Sequence, residues 1–205
     1  MNTKRLKNTF YAAVVLVLTA GFSSCSKDEP TNNASNEFTH GEHSYLIVKE
    51  KKNWQEAMED AVARGGYLVE IDNAAEQTAV WDAVKAAVSA TYTQVNDGGG
   101  VAYLWLGGLD YYTEGQWVWN GDNESGYVPV FWQGGKNGQA LGYANWGAGE
   151  PDNFTNAEVS PNGQDFAAIA LEDWPKGDGS LGKAGQWNDI AGTDLLYYIV
   201  EFDEK

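Results

Sequence analysis

Helical periodicity appears twice between residues 53 and 88 of this chain and nowhere after Asp97. Asn53 and Glu56 stand at capping-box spacing, in which each side chain satisfies a backbone N–H that the first turn leaves free. Behind them Trp54, Ala57, Met58 and Ala61 recur at i, i+3, i+4 and i+7, the stripe of a helix with one buried face, and Gly65-Gly66 ends it. After a short apolar run at 67–71, Asn73 and Glu76 repeat the box, and Val80, Val84 and Val88 share a face. From Asp97 onward Gly, Trp and Asn dominate and short strand signals take over, at 103–106, 116–119, 166–171 and 197–202, with one more at 45–48 before the first helix. Two early helices and a loop-rich, short-stranded remainder predict an α+β domain with helices set beside antiparallel strands.

The N-terminal 24 residues read as a processing signal. Lys4, Arg5 and Lys7 precede an apolar run at 10–22 that is too short to span a bilayer, and Ser23-Ser24 lead into Cys25. This resembles the lipobox of bacterial lipoproteins, in which Cys25 becomes the acylated first residue; an ordinary secretory peptide is the alternative. Residues 25–40 are polar and carry little to bury, which predicts a flexible tether, and 41–205 form one domain. On this reading the only membrane contact is the lipid. The protein is expected at the outer membrane or cell surface, with a periplasm-facing position as the alternative. Cys25 is the only cysteine, so no internal disulfide forms and no Cys-rich zinc site exists. The formal charge is −16, and loss of the three N-terminal basic residues takes it to −19, which repels nucleic acid and favours cations, neutral polar ligands or basic proteins.

Within the domain a series of pieces occurs in a fixed order. They are Trp54-x-x-Ala57-x-x-x-Ala61, Gly65-Gly66-Tyr67-Leu68, Glu76, Trp105-Leu106-Gly107, Glu114-Gly115-x-Trp117-x-Trp119, Asn145-Trp146, Glu150-Pro151-Asp152, Trp187-Asn188-Asp189 and Val200-Glu201-Phe202. The series resembles the C-type lectin-like domain from Tyr45 to the end of the chain. The resemblance implies a double-loop α+β fold in which two helices flank small antiparallel sheets and a long loop carries the ligand site. It also implies disulfide positions, which here fall on Ala61 with Val200 and on Phe166 with Gly192. A small residue facing a branched one, and a large one facing none, are volume pairs that fill such gaps without a covalent bond.

The resemblance further implies Ca²⁺, bound by Glu150, Asp152, Gln164, Asn188 and Asp189, with a cis bond before Pro151 aiming its two neighbours at one point. Ca²⁺ takes about 6–8 oxygen ligands, and this set offers three carboxylates and two amide oxygens. In the family a sugar diol joins the ion, each hydroxyl donating to an acid and accepting from an amide. Here Asp152 and Gln164 exchange amide and acid, so one hydroxyl faces Glu150 and Asp152 while the other faces Gln164 and Asn188. A hydroxyl has a single proton, and the first arrangement leaves an acceptor unmet. Glu158, a few residues from the matching position, is a candidate replacement acid. The expected ligand is a carbohydrate or glycoconjugate bound through Glu150, Asp152 and Asn188. The alternatives are a protein-binding or adhesion module and a calcium-stabilised structural domain.

An auxiliary calcium site of some family members falls on Asp110, Glu114 and Asn153, although Asp110 and Glu114 also suit a tight turn at Gly115. Asp122, Glu124, Glu172, Asp173 and Asp178 read as solvated loop charges. Trp105, Trp117, Trp119, Trp146 and Trp187 read as core. Two stretches, 120–143 and 172–184, are longer than in compact family members, and their Trp132 and Trp174 are candidate platforms for stacking on a sugar. No nucleophile elbow, phosphate-binding glycine loop or zinc-ligand spacing occurs, and His40 and His43 stand far in sequence from every acid cluster, so no enzyme activity is expected.

Overall fold

A computed structural model describes residues 35–124 and 128–203. The expected signal segment and Cys25 lie outside the described residues. Among the described residues ten strands and two helices follow in order: β1 (Glu37–His40), β2 (His43–Lys52), α1 (Trp54–Ala63), β3 (Tyr67–Leu68), α2 (Ala74–Ala87), β4 (Tyr103–Leu109), β5 (Gln116–Trp119), β6 (Val130–Gln133), β7 (Gln139–Ala140), β8 (Phe166–Ala170), β9 (Trp187–Ile190) and β10 (Leu196–Asp203). The fold is α+β with two helices, as expected. The strands, however, form one connected sheet in the order β1-β2-β10-β4-β5-β6-β7, with β3 on β10 and with β8 joining β4 to β9. It is mixed, because β4 and β10 run parallel while the other pairs are antiparallel.

Local chemistry accounts for the helices. The Asn53 side chain accepts from Glu56 N–H at 2.9 Å and Glu56 returns a contact to Asn53 N–H, the reciprocal box the spacing predicts. The second box is not reciprocal. Asn73 caps Ala75 and Glu76 N–H, but Glu76 turns to Asp72 N–H (2.9 Å) and to the Tyr45 hydroxyl (2.7 Å), linking α2 to β2. The tether expectation also needs correction at its end. Residues 37–40 form β1, paired with β2, and the half-buried Phe38 stacks on the buried Tyr45 with ring centroids 4.7 Å apart.

Two apolar clusters lie on either side of the sheet. Trp117, Trp119, Phe131, Trp146 and Trp187 pack in one, joined by edge-to-face and stacked contacts of 4.4–6.4 Å. Trp54, Ala61, Trp105 and Val200 pack in the other. Ala61 and Val200 are both fully buried there. The Phe166 ring lies over Gly192, where a Cβ would collide with its Cε2. The protein therefore fills both gaps with side-chain volume. Gly192→Ala is expected to cost about 1–3 kcal/mol in urea unfolding, as overpacking does, and Phe166→Leu in the same chain should recover part of it.

Candidate metal centre

Strand β9 carries Asp189 into the interior, where it pairs with Ala167 on β8 and is fully buried. Its two carboxylate oxygens accept the N–H groups of Asp152 (3.2 Å) and Asn153 (2.7 Å), which tie the 150–153 segment to the sheet. The Glu150–Pro151 bond is cis. Glu150 is buried as well; its Oε1 accepts from the Trp174 indole at 3.0 Å, whereas its Oε2 is buried with no partner. One oxygen from each of Glu150, Asp152 and Asp189 lies within 4.8 Å of the other two. Bonds of about 2.3–2.6 Å place oxygens on opposite sides of a Ca²⁺ ion at about 5 Å, so all three fit one coordination sphere.

The electrostatics agree with the geometry. Burial pushes Asp189 well above the usual carboxylate range, and the charges of Glu150 and Asp152 push it further against the Asn153 N–H bond. Burial likewise pushes Glu150 up to about 7, with the Trp174 bond opposing and the Asp152 charge adding. Asp152, exposed at the rim, is raised chiefly by desolvation of its carboxyl. Lys136 draws both Glu150 and Asp152 down, yet among the described residues no lysine or arginine forms an ion pair with any of the three acids. A buried orphan oxygen among crowded like charges is the donor set a hard divalent cation satisfies, and the residues present fit Ca²⁺.

The two amides of the predicted set are braced elsewhere. Gln164 is buried, with Oε1 accepting from Phe154 N–H (2.9 Å) and Nε2 donating to the Asp97 carbonyl and carboxylate (3.2 Å each). Asn188 donates from Nδ2 to the Tyr103 hydroxyl at 3.0 Å. Each keeps lone pairs on its carbonyl oxygen, but the Gln164 amide hydrogens are already engaged. Glu158 is exposed in the 156–160 turn and does not join the carboxylate group.

Around the auxiliary positions, Asp110 is buried, accepts from Gly115 N–H through Oδ2 (2.9 Å) and has an unpartnered Oδ1. This is the turn brace the sequence allowed. Asn153, at φ 49°, donates to Glu114 at 2.7 Å and accepts from Gln164 N–H. Burial, with the charges of Glu114 and Asp165, raises Asp110 to about 7. Asp165, just before β8, is one of the charges beside Asp110.

Of the two tryptophan platforms, Trp174 needs correction. Trp174 is 1% exposed, wedged against Gly147 and Gly182, where any Cβ would collide with its ring. Trp132 is half-buried in β6, and its indole N–H donates to the Gly134 carbonyl at 2.8 Å. Among the described residues the exposed aromatics are instead Tyr111 and Tyr112, 63% and 64% exposed, and Phe154 beside the 150–153 segment. Of the loop acids, Asp173 is exposed and pairs with Lys183, while Glu172 is only partly exposed.

No family model matches the chain. A perlucin-like protein of Mytilus galloprovincialis is 28% identical over 156 residues, covering 76% of this chain and 73% of the relative. Lectin subunit alpha of Sarcophaga peregrina is 32% identical over 115 residues, covering 56% of this chain and 34% of the relative. Among solved structures, the human scavenger receptor C-type lectin carbohydrate-recognition domain superposes with a TM-score of 0.55 at 24% identity, over 82% of this chain and 96% of that one. The domain described here has the C-type lectin fold.

Proposed function

We propose that this protein is a calcium-dependent carbohydrate-binding module, exported and held at the outer membrane or cell surface by a lipid on Cys25. The observation that carries the reading is the convergence of Glu150, Asp152 and Asp189, with a buried and unpartnered Glu150 oxygen among them. Asn188 and Gln164 would complete the donor set through their carbonyl oxygens. When bound, Ca²⁺ neutralises the buried charge and offers coordination positions to hydroxyl oxygens. The protein's own contribution is rigidity. The Asp189 carboxylate holds the 152–153 backbone and the Trp174 indole fixes Glu150, so the site is shaped before a ligand arrives. The carbohydrate-recognition domain among the structural neighbours and the lectin among the relatives support a glycan as the ligand.

A second reading, a domain that holds Ca²⁺ for its stability alone, draws on a specific observation. Gln164 directs its amide hydrogens to Asp97 and Asn188 donates to Tyr103, which leaves a diol short of donors beside the two acids. Binding to a glycan array in millimolar Ca²⁺, repeated with a calcium chelator, separates the two. Retention that the chelator abolishes is expected. Calcium binding with no retained glycan selects the second reading.

A further inference from the structure

The start of β2 and the end of β10 hold another group of metal-competent side chains. His43, Glu201 and Asp203 each offer one donor atom within 4.8 Å of the others. Strand register explains why. Asp203 lies directly opposite His43 and Glu201 opposite Tyr45, two residues along, so all three stand on one face of the sheet. His43 Nδ1 is 2.9 Å from Glu201 Oε1 and 3.2 Å from Asp203 Oδ1. Despite these distances it is shut off from solvent and makes no hydrogen bond, because neither oxygen lies along its N–H direction. Neighbouring donors of a tetrahedral Zn²⁺ with bonds of about 2.0–2.1 Å are about 3.3 Å apart, within a few tenths of an ångström of these spacings.

Both carboxylates are already oriented by outer partners. Glu201 is buried and its Oε2 accepts from Glu70 N–H at 3.0 Å, leaving Oε1 toward His43. The Tyr67 hydroxyl donates to Asp203 Oδ1 at 2.7 Å. Such bonds orient the ligands of structural metal sites. The His43 side chain as a whole is 41% exposed and that of Asp203 68%, so the group lies at the surface even though Nδ1 itself is covered. An imidazole nitrogen suits Zn²⁺ and is a poor donor to Ca²⁺, which takes oxygens, so this group differs in chemistry from the loop acids.

We propose that His43, Glu201 and Asp203 form a Zn²⁺ site, with a water completing the tetrahedron, that clamps the first residue of β2 to the last residues of β10. In a chain with no disulfide, such a clamp joins the second strand to the last one. The test is Zn²⁺ titration of the purified protein by calorimetry, with Ca²⁺ in excess to occupy the oxygen sites. One Zn²⁺ is expected to bind per chain, and the melting midpoint should rise by about 5–10 °C at a hundredfold excess over Kd. His43→Gln and Asp203→Asn should each weaken binding by at least about 100-fold, and Tyr67→Phe, which removes only an outer partner, by about 10-fold. In the unaltered protein one equivalent of Zn²⁺ should shift the His43 imidazole NMR signals, a readout that needs no variant. Imidazole signals unmoved by Zn²⁺, or equal affinity in the unaltered protein and His43→Gln, would overturn the proposal and leave the three groups as an imidazolium–carboxylate bridge.

Discussion

Glu150→Gln is expected to stabilise the calcium-free protein while weakening Ca²⁺ binding by roughly 100-fold. In the unaltered chain one Glu150 oxygen receives the Trp174 indole, the other is buried without a partner, and Asp152 and Asp189 add like charge. Glutamine keeps an acceptor for the indole, places an N–H donor among the remaining acids and removes the desolvated charge. The gain should be about 1–3 kcal/mol at pH 7.5 in the presence of a chelator, the cost of an unsatisfied buried group. The pH dependence has a definite sign. Burial raises Glu150 to about 7 in the folded state, above its unfolded value, so the native chain holds a proton that the unfolded chain has released. Stability of the calcium-free protein therefore falls as pH rises from about 4.5 to 7 through this group, and Glu150→Gln lacks that contribution. Urea unfolding of both proteins at pH 5 and pH 7.5 measures the difference, which should be larger at pH 7.5. A variant that loses stability without Ca²⁺, or keeps full affinity for it, contradicts the assignment.

Trp174→Ala should lose about 3–5 kcal/mol, because the ring fills a pocket whose walls include the backbone at Gly147 and Gly182 and cannot collapse far. Trp174→Phe separates packing from polarity. It retains a ring but leaves Glu150 Oε1 without its 3.0 Å donor, so a loss of about 1–3 kcal/mol is expected, with Ca²⁺ affinity reduced by about 10-fold to 100-fold. Calorimetry in Ca²⁺ and in chelator reads both quantities. Were Trp174 instead a sugar platform, Trp174→Ala would leave stability and Ca²⁺ binding unchanged and remove glycan binding alone.

Legibility in the sequence followed the range of the forces involved. Helix α1 was readable almost to the residue because its box, apolar stripe and Gly65 stop are all local. Strand β5 matched its expected bounds for the same reason, an alternating apolar run closed by a turn. Strand β1 was hidden in a polar stretch, since Glu37–His40 becomes a strand only when Phe38 finds Tyr45 across the hairpin. Glu76 had the spacing of a cap but answered to Tyr45, a partner 31 residues away. The three converging acids were legible only through resemblance, because 37 residues separate Asp152 from Asp189 and no periodicity connects them. Trp174 was misplaced because an indole in a glycine-rich loop carries no sign of whether that loop closes over it. Here Gly147 and Gly182 leave the space that the ring fills, and Glu150 supplies the acceptor.

Calcium titration of the unaltered protein tests most directly whether these acids form an ion site. One Ca²⁺ is expected to bind at the site with an affinity in the millimolar range or tighter, as in extracellular modules. Binding should release protons below about pH 7, because the ion displaces them from Glu150 and Asp189. No heat and no rise in melting temperature at several millimolar Ca²⁺ would mean that Glu150, Asp152 and Asp189 are only a crowded group of acids, two buried and one at the rim.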